Sequence, residues 1–547
     1  MAADQRDLNK QLIERLQAEN IILPISREFA QLETNENRVN FVYDLLKTKD
    51  LLPPLIRDAK NDTESTKYRN QGNNMFIQAK HKEAHQLYTK SLALAEPGSL
   101  NVALAYGNRS AVLFKKKLYG ECLKDAHRAL ENNYPINISP KLIKRIAEAE
   151  RLLSASKTIC FYKPMPEISE KNSNALIQSA ANSVKVEYSG AFGRYVVATR
   201  DLEPGEIIAV EKAFCSILES KVHIYCHHCL KLCYSLIPCL NCTQALFCST
   251  ACQSEANKQY HQYECPIVVS VRKLDETKML HLKLTIVVRD KYKSLDQCKL
   301  NPDEIYRSDR YEEIFNLVAN TSSRSISDLF SRATSAAGYF HLMKEHTNFF
   351  HGETKDCEGV FKELLLFHMQ IGPCNFHQIS SRLSTVGDAD WTLGSAAYSF
   401  LSLFNHSCFP NVSRYEYGSV AAIFTIRSIR KGEQCFENYG QHYALMSKAD
   451  RQAKLKKQYY FDCNCEACLN DYGMYNCLPV IGGSQQSAVE TFQLLQSGSL
   501  IEAEKAVPKM IKEIRRTETK MPNQELGEFQ EALKQCFFIF STLETPI

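Results

Sequence analysis

The spacing of apolar positions changes along the chain, and the changes divide it. From Lys67 to Gly98, KYRNQGNNMFIQAKHKEAHQLYTKSLALAEPG keeps a helical period and breaks once. Small residues (Gly72, Ala84, Ser91) stand where two helices must touch, and Phe76 and Tyr88 are sized to fill the groove between. ALAYGNRSAVLFKKKLYGECLKDAHRALENNYP, from Ala103, repeats the arrangement with Ser110, Cys122, Ala126 and Ala129, so that Ser110 takes the part of Gly72. SPKLIKRIAEAERLL, from Ser139, predicts one further helix. The period then switches to two. Val184 to Phe214 alternates and carries a Pro204-Gly205 turn, which predicts strands and a hairpin. Strand character returns from Val420 to Ile429, between a helical stretch over about 266–369 and a helical region after Cys468. Residues 1–60 read as short helices broken at Leu51–Ile56, LLPPLI.

Length and composition narrow the classes. A chain of 547 residues holds several domains, and 44% hydrophobic with 23% charged residues is ordinary for folded protein. A net charge of +4 argues against a polyanion binder, and no sequence-specific contact with nucleic acid is expected. The start, MAADQRDLNKQLIERL, has no apolar core of a secretory signal, and no apolar run suffices to span a bilayer, so no membrane association is expected. The 21 cysteines should then be mostly reduced, and their clusters point to metal or catalysis before disulfides.

One cluster is CHHCLKLCYSLIPCLNCTQALFCSTACQSEANKQYHQYEC, Cys226–Cys265. It carries four ligand pairs: Cys226 with Cys229, Cys239 with Cys242, Cys248 with Cys252, and His261 with Cys265. Eight ligands make two closed tetrahedral zinc sites with no position left for water. The pairing is expected to interleave, first pair with third and second with fourth. A segment this short cannot build its own core, so the metal would supply its folding free energy. His227, His228 and Cys233 read as bystanders.

A second cluster answers a puzzle in LFNHSCFPN, Leu403–Asn411. Asn405, His406, Ser407 and Cys408 could form a nucleophile with its base, a metal site or part of a cofactor pocket. Downstream, Cys463, Cys465 and Cys468 are spaced CxCxxC, one ligand short of a tetrahedron. Cys408 is read as the fourth, giving a third zinc ion, and a ligated thiolate is no free nucleophile.

Taken together these motifs resemble known families. The paired helices resemble the tetratricopeptide repeat, whose helix pairs stack because one pair cannot bury its own face. Such an array contacts mainly its neighbours, so it is expected to be separable. The spacing of residues 226–265 resembles the MYND finger, whose members bind proline-containing peptides. FNHSCFPN, KGEQCFENYG and CxCxxC look like a SET domain with its post-SET zinc cluster, and GAFGRYVVATRDLEPGE resembles the first SET strands. A finger set between two SET halves is the arrangement of the SET and MYND domain-containing family. The resemblance implies an α+β multidomain chain: helices over 1–60, repeats over 61–155, a linker over 156–183, and the first SET part over 184–225. The finger follows over 226–265, a helical insert over 266–369, the SET core over 370–445, the post-SET cluster over 446–470 and helices over 471–547.

It also implies protein-lysine methyl transfer from S-adenosylmethionine, with lysine-bearing proteins as substrates and cofactor and substrate entering a narrow channel from opposite faces. By resemblance, Tyr439 is the catalytic tyrosine at that channel. Phe192, Gly193, Asn375, Ser402, Asn405, His406, Tyr439 and Phe461 would line the cofactor site. Ala191 and Arg194 stand where the family turn has its first glycine and its leucine. The rival expectation is an adaptor whose repeats and finger bind peptides and whose SET fold is scaffold. Localisation is expected to be cytoplasmic and nuclear, although RQAKLKK, Arg451–Lys457, is too weak a basic run to read as an import signal.

Overall fold

The computed structural model describes residues 7–155, 165–190, 192–297, 305–352, 355–380, 392–482 and 485–541. Helices α1 (Leu8–Ala18), α2 (Ile22–Ala30) and α3 (Asn35–Thr48) come first. The stacked helices follow: α4 (Asp62–Ile77), α5 (His81–Leu94), α6 (Leu100–Lys115), α7 (Tyr119–Glu131) and α8 (Ser139–Ala155). Gly72 of α4 lies against the ring of Tyr88, where a Cβ would come within 2.6 Å of a ring carbon, and Gly107 of α6 lies against Tyr134 in the same way, at 2.5 Å. Helix contact at these points therefore depends on the missing side chain.

The β-framework is a set of small sheets. β1 (Val184–Ser189) and β2 (Gly193–Ala198) form a hairpin. β3 (Ile207–Lys212) joins a sheet behind two later strands, Val412–Tyr417 at its edge and Val420–Thr425 in the middle, and β4 (Cys215–Leu218) joins one whose middle strand is Thr392–Ala397 and whose other edge is His377–Ser380. The finger contributes β5 (Ile237–Pro238), β6 (Leu246–Phe247), α9 (Thr250–Ala256) and α10 (Gln262–Glu264). The insert supplies α11 (Val268–Asp275), α12 (Met279–Val287), α13 (Tyr311–Phe315), α14 (Ile326–His346) and α15 (Lys355–Asn375). After it come β7 (His377–Ser380), β8 (Thr392–Ala397), β9 (Asn405–His406), β10 (Val412–Tyr417), β11 (Val420–Thr425) and β12 (Phe436–Glu437). The chain ends in α16 (Lys448–Tyr459), α17 (Glu466–Leu469), α18 (Gln485–Leu495), α19 (Leu500–Thr517) and α20 (Gln524–Ser541).

Three packing relationships were not readable from local pattern. The first concerns α1–α3, which lie on the insert and not on the stacked helices. Leu12, Leu16, Val39, Val42 and Leu46 are fully buried there, the Glu36 N–H donates to Glu363 Oε2 at 2.8 Å, and the Gln370 amide donates to Asn35 Oδ1 at 2.8 Å. The second corrects the reading of 156–183 as a linker. Within it Ile177 and Ala180 are buried, and Ile177 bridges Tyr306 while Ala180 bridges Ala209.

The third corrects the expectation of a separable array. Arg109 and Asp125 form a buried ion pair, 2.6 Å from Nε to Oδ2, and Arg109 also donates to the Leu236 carbonyl of the finger at 2.8 Å. Arg128 donates to the Ser235 carbonyl at 2.6 Å, and the His85 ring bonds the Tyr234 carbonyl at 2.7 Å. Removing the helices would strand these finger carbonyls and uncover Tyr234.

Candidate functional site

The sheet pairing that builds the site is short and parallel. β12 runs beside β9, pairing Phe436 with Asn405 and Glu437 with His406. Two segments separated in sequence by the strands Val412–Tyr417 (β10) and Val420–Thr425 (β11) are thereby laid side by side, and Tyr439 arrives against the Asn405-His406 turn. The Tyr439 N–H donates to His406 Nδ1 at 3.0 Å, its hydroxyl donates to the Phe404 carbonyl at 2.7 Å, and the two rings lie 5.2 Å apart. Burial lowers the His406 pKa to about 4, so the ring is neutral. Its Nδ1 accepts from Tyr439, and its Nε2 lies 3.3 Å from Cys408 Sγ. Both ring nitrogens are thus engaged, and His406 offers neighbouring groups its ring and backbone only. Burial also holds the Tyr439 hydroxyl well above its usual pKa, keeping it a neutral donor.

A cavity of about 430 Å³ opens at this tyrosine. Asn375, Ser402, Phe404, Asn438, Tyr439 and Tyr459 line it. Ser402 Oγ lies 2.8 Å from the Asn375 carbonyl and 2.6 Å from that of Tyr398, while the Asn375 amide donates to Val318 and Ile371 carbonyls. Asn405 Nδ2 donates to the Phe192 carbonyl at 3.3 Å, which ties the turn to the β1–β2 hairpin. Gly193 sits at φ +65° with open space where a side chain would be. Phe192 is half-exposed, and the Phe461 ring lies 6.1 Å from His406. The expected site residues therefore come from five segments: Asn375, Ser402 and Tyr439 line the cavity, while Phe192, Asn405, His406 and Phe461 connect to it through the Asn405–Phe192, His406–Tyr439 and His406–Phe461 contacts. Ala191 lies outside the described residues. Arg194, which departs from the family turn, bonds the Tyr306 hydroxyl at 2.9 Å and the Asn316 carbonyl at 2.6 Å, fastening the hairpin to the insert.

The neighbouring cysteines form the clusters expected of zinc. Zn–S bonds of about 2.3 Å put tetrahedral sulfurs about 3.8 Å apart, far beyond a disulfide at about 2.05 Å. Cys408 Sγ lies 4.0 Å from Cys463 and 3.5 Å from Cys468, with Cys465 completing the set. In the finger, Cys229 to Cys248 is 3.7 Å and Cys248 to Cys252 is 3.5 Å, grouped with Cys226. Cys239 to Cys265 is 3.8 Å, and His261 Nε2 lies 3.3 Å from Cys239 and 3.6 Å from Cys242. The interleaved pairing is the one the fold adopts, and the donor sets are compatible with three zinc ions.

Several functional neighbours escaped the sequence reading. Glu264 accepts from His261 Nδ1 at 2.8 Å and bonds His227 Nε2 at 2.9 Å, so His227 orients a ligand indirectly. Its i+3 spacing from His261 on one helical face was the available signal. Arg451 is fully buried and points a guanidinium nitrogen at Cys468 Sγ, 3.8 Å away, where it offsets thiolate charge. Glu211, on the buried parity of β3, accepts from Ser399 N, Ser399 Oγ, Phe400 N and Leu401 N at 2.8–3.0 Å. It fixes the turn that leads into Ser402 and Asn405. Tyr459 lies tilted against Tyr439, 4.8 Å between centroids, as the second ring of the cavity.

Against known proteins, residues 193–440 match the SET domain family. The β9–β12 pairing lies within this matched stretch. Protein-lysine N-methyltransferase SMYD4 of Pongo abelii is 27% identical over 73% of this chain and 66% of its own length, and N-lysine methyltransferase SMYD2 of Homo sapiens is 25% identical over 50% and 58%. The chain is similar to these SET and MYND domain-containing relatives and spans 66% of the length of the SMYD4 relative. A solved SET domain of LSMT, described as bound to lysine and AdoHcy, covers 66% of this chain at 11% identity and a TM-score of 0.22, too low an overlap to argue from.

Proposed function

We propose that the protein transfers a methyl group from S-adenosylmethionine to lysine side chains of protein substrates. The observation that carries this reading is the seat of Tyr439: backbone on His406, hydroxyl on the Phe404 carbonyl, and the cavity beside it. The residues present suit the cofactor and a lysine. The Tyr439 and Tyr459 rings line the cavity and would favour a cation, and Arg414, which also lines it, is already paired with Glu416 and Glu437. Gly193 leaves room for close backbone approach.

The bound cofactor supplies an activated methyl on a sulfonium. The chain's own work is alignment and exclusion of water, because the leaving group is already good. Asn405, Phe192, Gly193, Asn375, Ser402 and Phe461 would hold the cofactor. Tyr439 and Tyr459 would confine the amine, and the fixed Tyr439 hydroxyl would orient it. The cleft between the SET core and α18–α20 would hold the polypeptide on either side of the lysine.

The finger and the stacked helices are read as a MYND finger and a tetratricopeptide array that recruit peptides, proline-containing ones for the finger, in cytoplasm and nucleus. No described helix is long and apolar enough to cross a membrane. The test is calorimetric titration of S-adenosylmethionine, followed by tritium transfer from labelled cofactor into extract proteins. Binding together with labelled protein bands is the expected result. If neither is seen with zinc-replete protein, the adaptor reading replaces the enzyme.

A further inference from the structure

The cleft between the SET core and the C-terminal helices has a volume of about 630 Å³. Its far wall is fixed. Phe537 of α20 stacks on Phe424 of β11, 4.0 Å between centroids at 20°, and also packs on Tyr415. Val412, Ile426, Leu445, Phe492 and Phe538 give the cleft an apolar lining. Charge within it is unbalanced. Arg414 Nε donates to Glu416 Oε1 at 2.7 Å, and another nitrogen of the same guanidinium bonds Glu437 Oε1. One cation is shared by two buried carboxylates, so with both ionised the three groups carry a net negative charge.

That excess has an address. Glu437 is 5% exposed and lines the cleft, yet its Oε2 is buried with no hydrogen-bond partner. Glu528 of α20 lines the same cleft. Its Oε1 accepts from the Tyr475 hydroxyl, while its Oε2 is likewise buried and without a partner. A buried acceptor left without a donor is destabilising, and more so when charged. Burial raises the Glu416 and Glu437 pKa values above the usual carboxylate range, with Arg414 opposing the shift, and an entering cation would relieve that penalty. Glu531 and Lys534 at the rim neutralise each other.

We infer that Glu437 and Glu528 form a subsite for one basic side chain, arginine or lysine, of the substrate protein, held next to the lysine that enters the Tyr439 cavity. The cleft and that cavity share Arg414, Asn438 and Gly440, so the two side chains would come from nearby positions on one polypeptide. The apolar lining takes the aliphatic stem and the carboxylates take the head. This inference rests on the methyltransferase reading, and it makes the protein selective for lysines flanked by positive charge.

The test uses the zinc-loaded full chain and binding, not turnover. Lysine-centred peptides carry arginine at one flanking position at a time, each matched with the neutral isostere citrulline, and are titrated by fluorescence anisotropy. Wild type is expected to prefer arginine at one position by about tenfold. Glu437→Gln and Glu528→Gln should each reduce the preference to about twofold while leaving affinity for the citrulline peptide unchanged. If Glu437→Gln fails to fold, Glu528→Gln, on a half-exposed helical face, decides. Equal binding of arginine and citrulline peptides everywhere, a preference that survives in a folded variant, or no binding of any peptide overturns the subsite. Methyl transfer is measured on the same peptides. A charge preference without transfer would sink the methyltransferase reading and leave the subsite standing.

Discussion

Tyr439 and His406 are joined backbone to ring: the tyrosine N–H donates to His406 Nδ1 at 3.0 Å while the other imidazole nitrogen faces the Cys408 thiolate at 3.3 Å. The histidine is therefore a spacer between a zinc ligand and the tyrosine of the cavity. The geometry of the cysteine cluster and that of the cavity are mechanically coupled through one ring.

Tyr439→Phe keeps the ring against His406 and Tyr459 and removes the bond to the Phe404 carbonyl. Methyl transfer is expected to fall about a hundredfold, ~2.7 kcal/mol at about 1.36 kcal/mol per decade. Cofactor affinity by calorimetry and melting temperature should change little. Equal transfer by wild type and variant would remove Tyr439 from the chemistry.

Cys408→Ser breaks the coupling at its metal end. Elemental analysis should show about three zinc ions per chain in wild type and about two in the variant. Cofactor affinity should also drop, since Cys408 is two residues from His406 and three from Asn405. One zinc or none in wild type would contradict the three-site arrangement.

Arg109, held by Asp125, pins the stacked helices to the finger through the Leu236 carbonyl. Asp125→Asn leaves a buried guanidinium without its counter-ion and should cost about 3–5 kcal/mol, read as an earlier urea midpoint. Hydrogen exchange should rise at the contacted finger stretch, residues 234–236, as well as in α6 and α7. Change confined to the helices would mean that the contact contributes nothing to the finger.

His85 gives the same junction a pH response. Burial, reinforced by the nearby Arg109 and His223, lowers its pKa to about 3 from a usual value of about 6.5. Below the unfolded value the unfolded chain binds the extra proton, so the His85 contribution is intact above about pH 6.5 and is lost as pH falls towards 3. Urea midpoints taken between pH 7 and 5 should fall less steeply in His85→Gln than in wild type. Parallel slopes would assign the acid response to other groups.

The sequence by itself determined the metal chemistry, because ligand spacing over a few residues is local and thiolates leave few alternatives. CxxC, CxxxC and HxxxC pairs were enough to predict two finger sites, and CxCxxC demanded the distant Cys408. The helix pairs were legible for the same reason, since Gly72 against Tyr88 is a steric statement the residue types already make. What only the tertiary structure decided depends on groups whose role is set by burial and by partners far along the chain. Glu211 became an anchor because β3 turned it inward beneath the Ser399–Leu401 turn. His406 lost both ring nitrogens to neighbours, so the motif that named it overstated what its side chain offers. Glu437 acquired its unbalanced charge only where β10, β12 and α20 converge, and α1–α3 found the insert through apolar faces that any helix could have matched. Local chemistry fixes which atoms can bind a metal or fill a groove; the fold fixes which polar groups are left without a partner, as it does for the Glu437 and Glu528 oxygens that line the cleft.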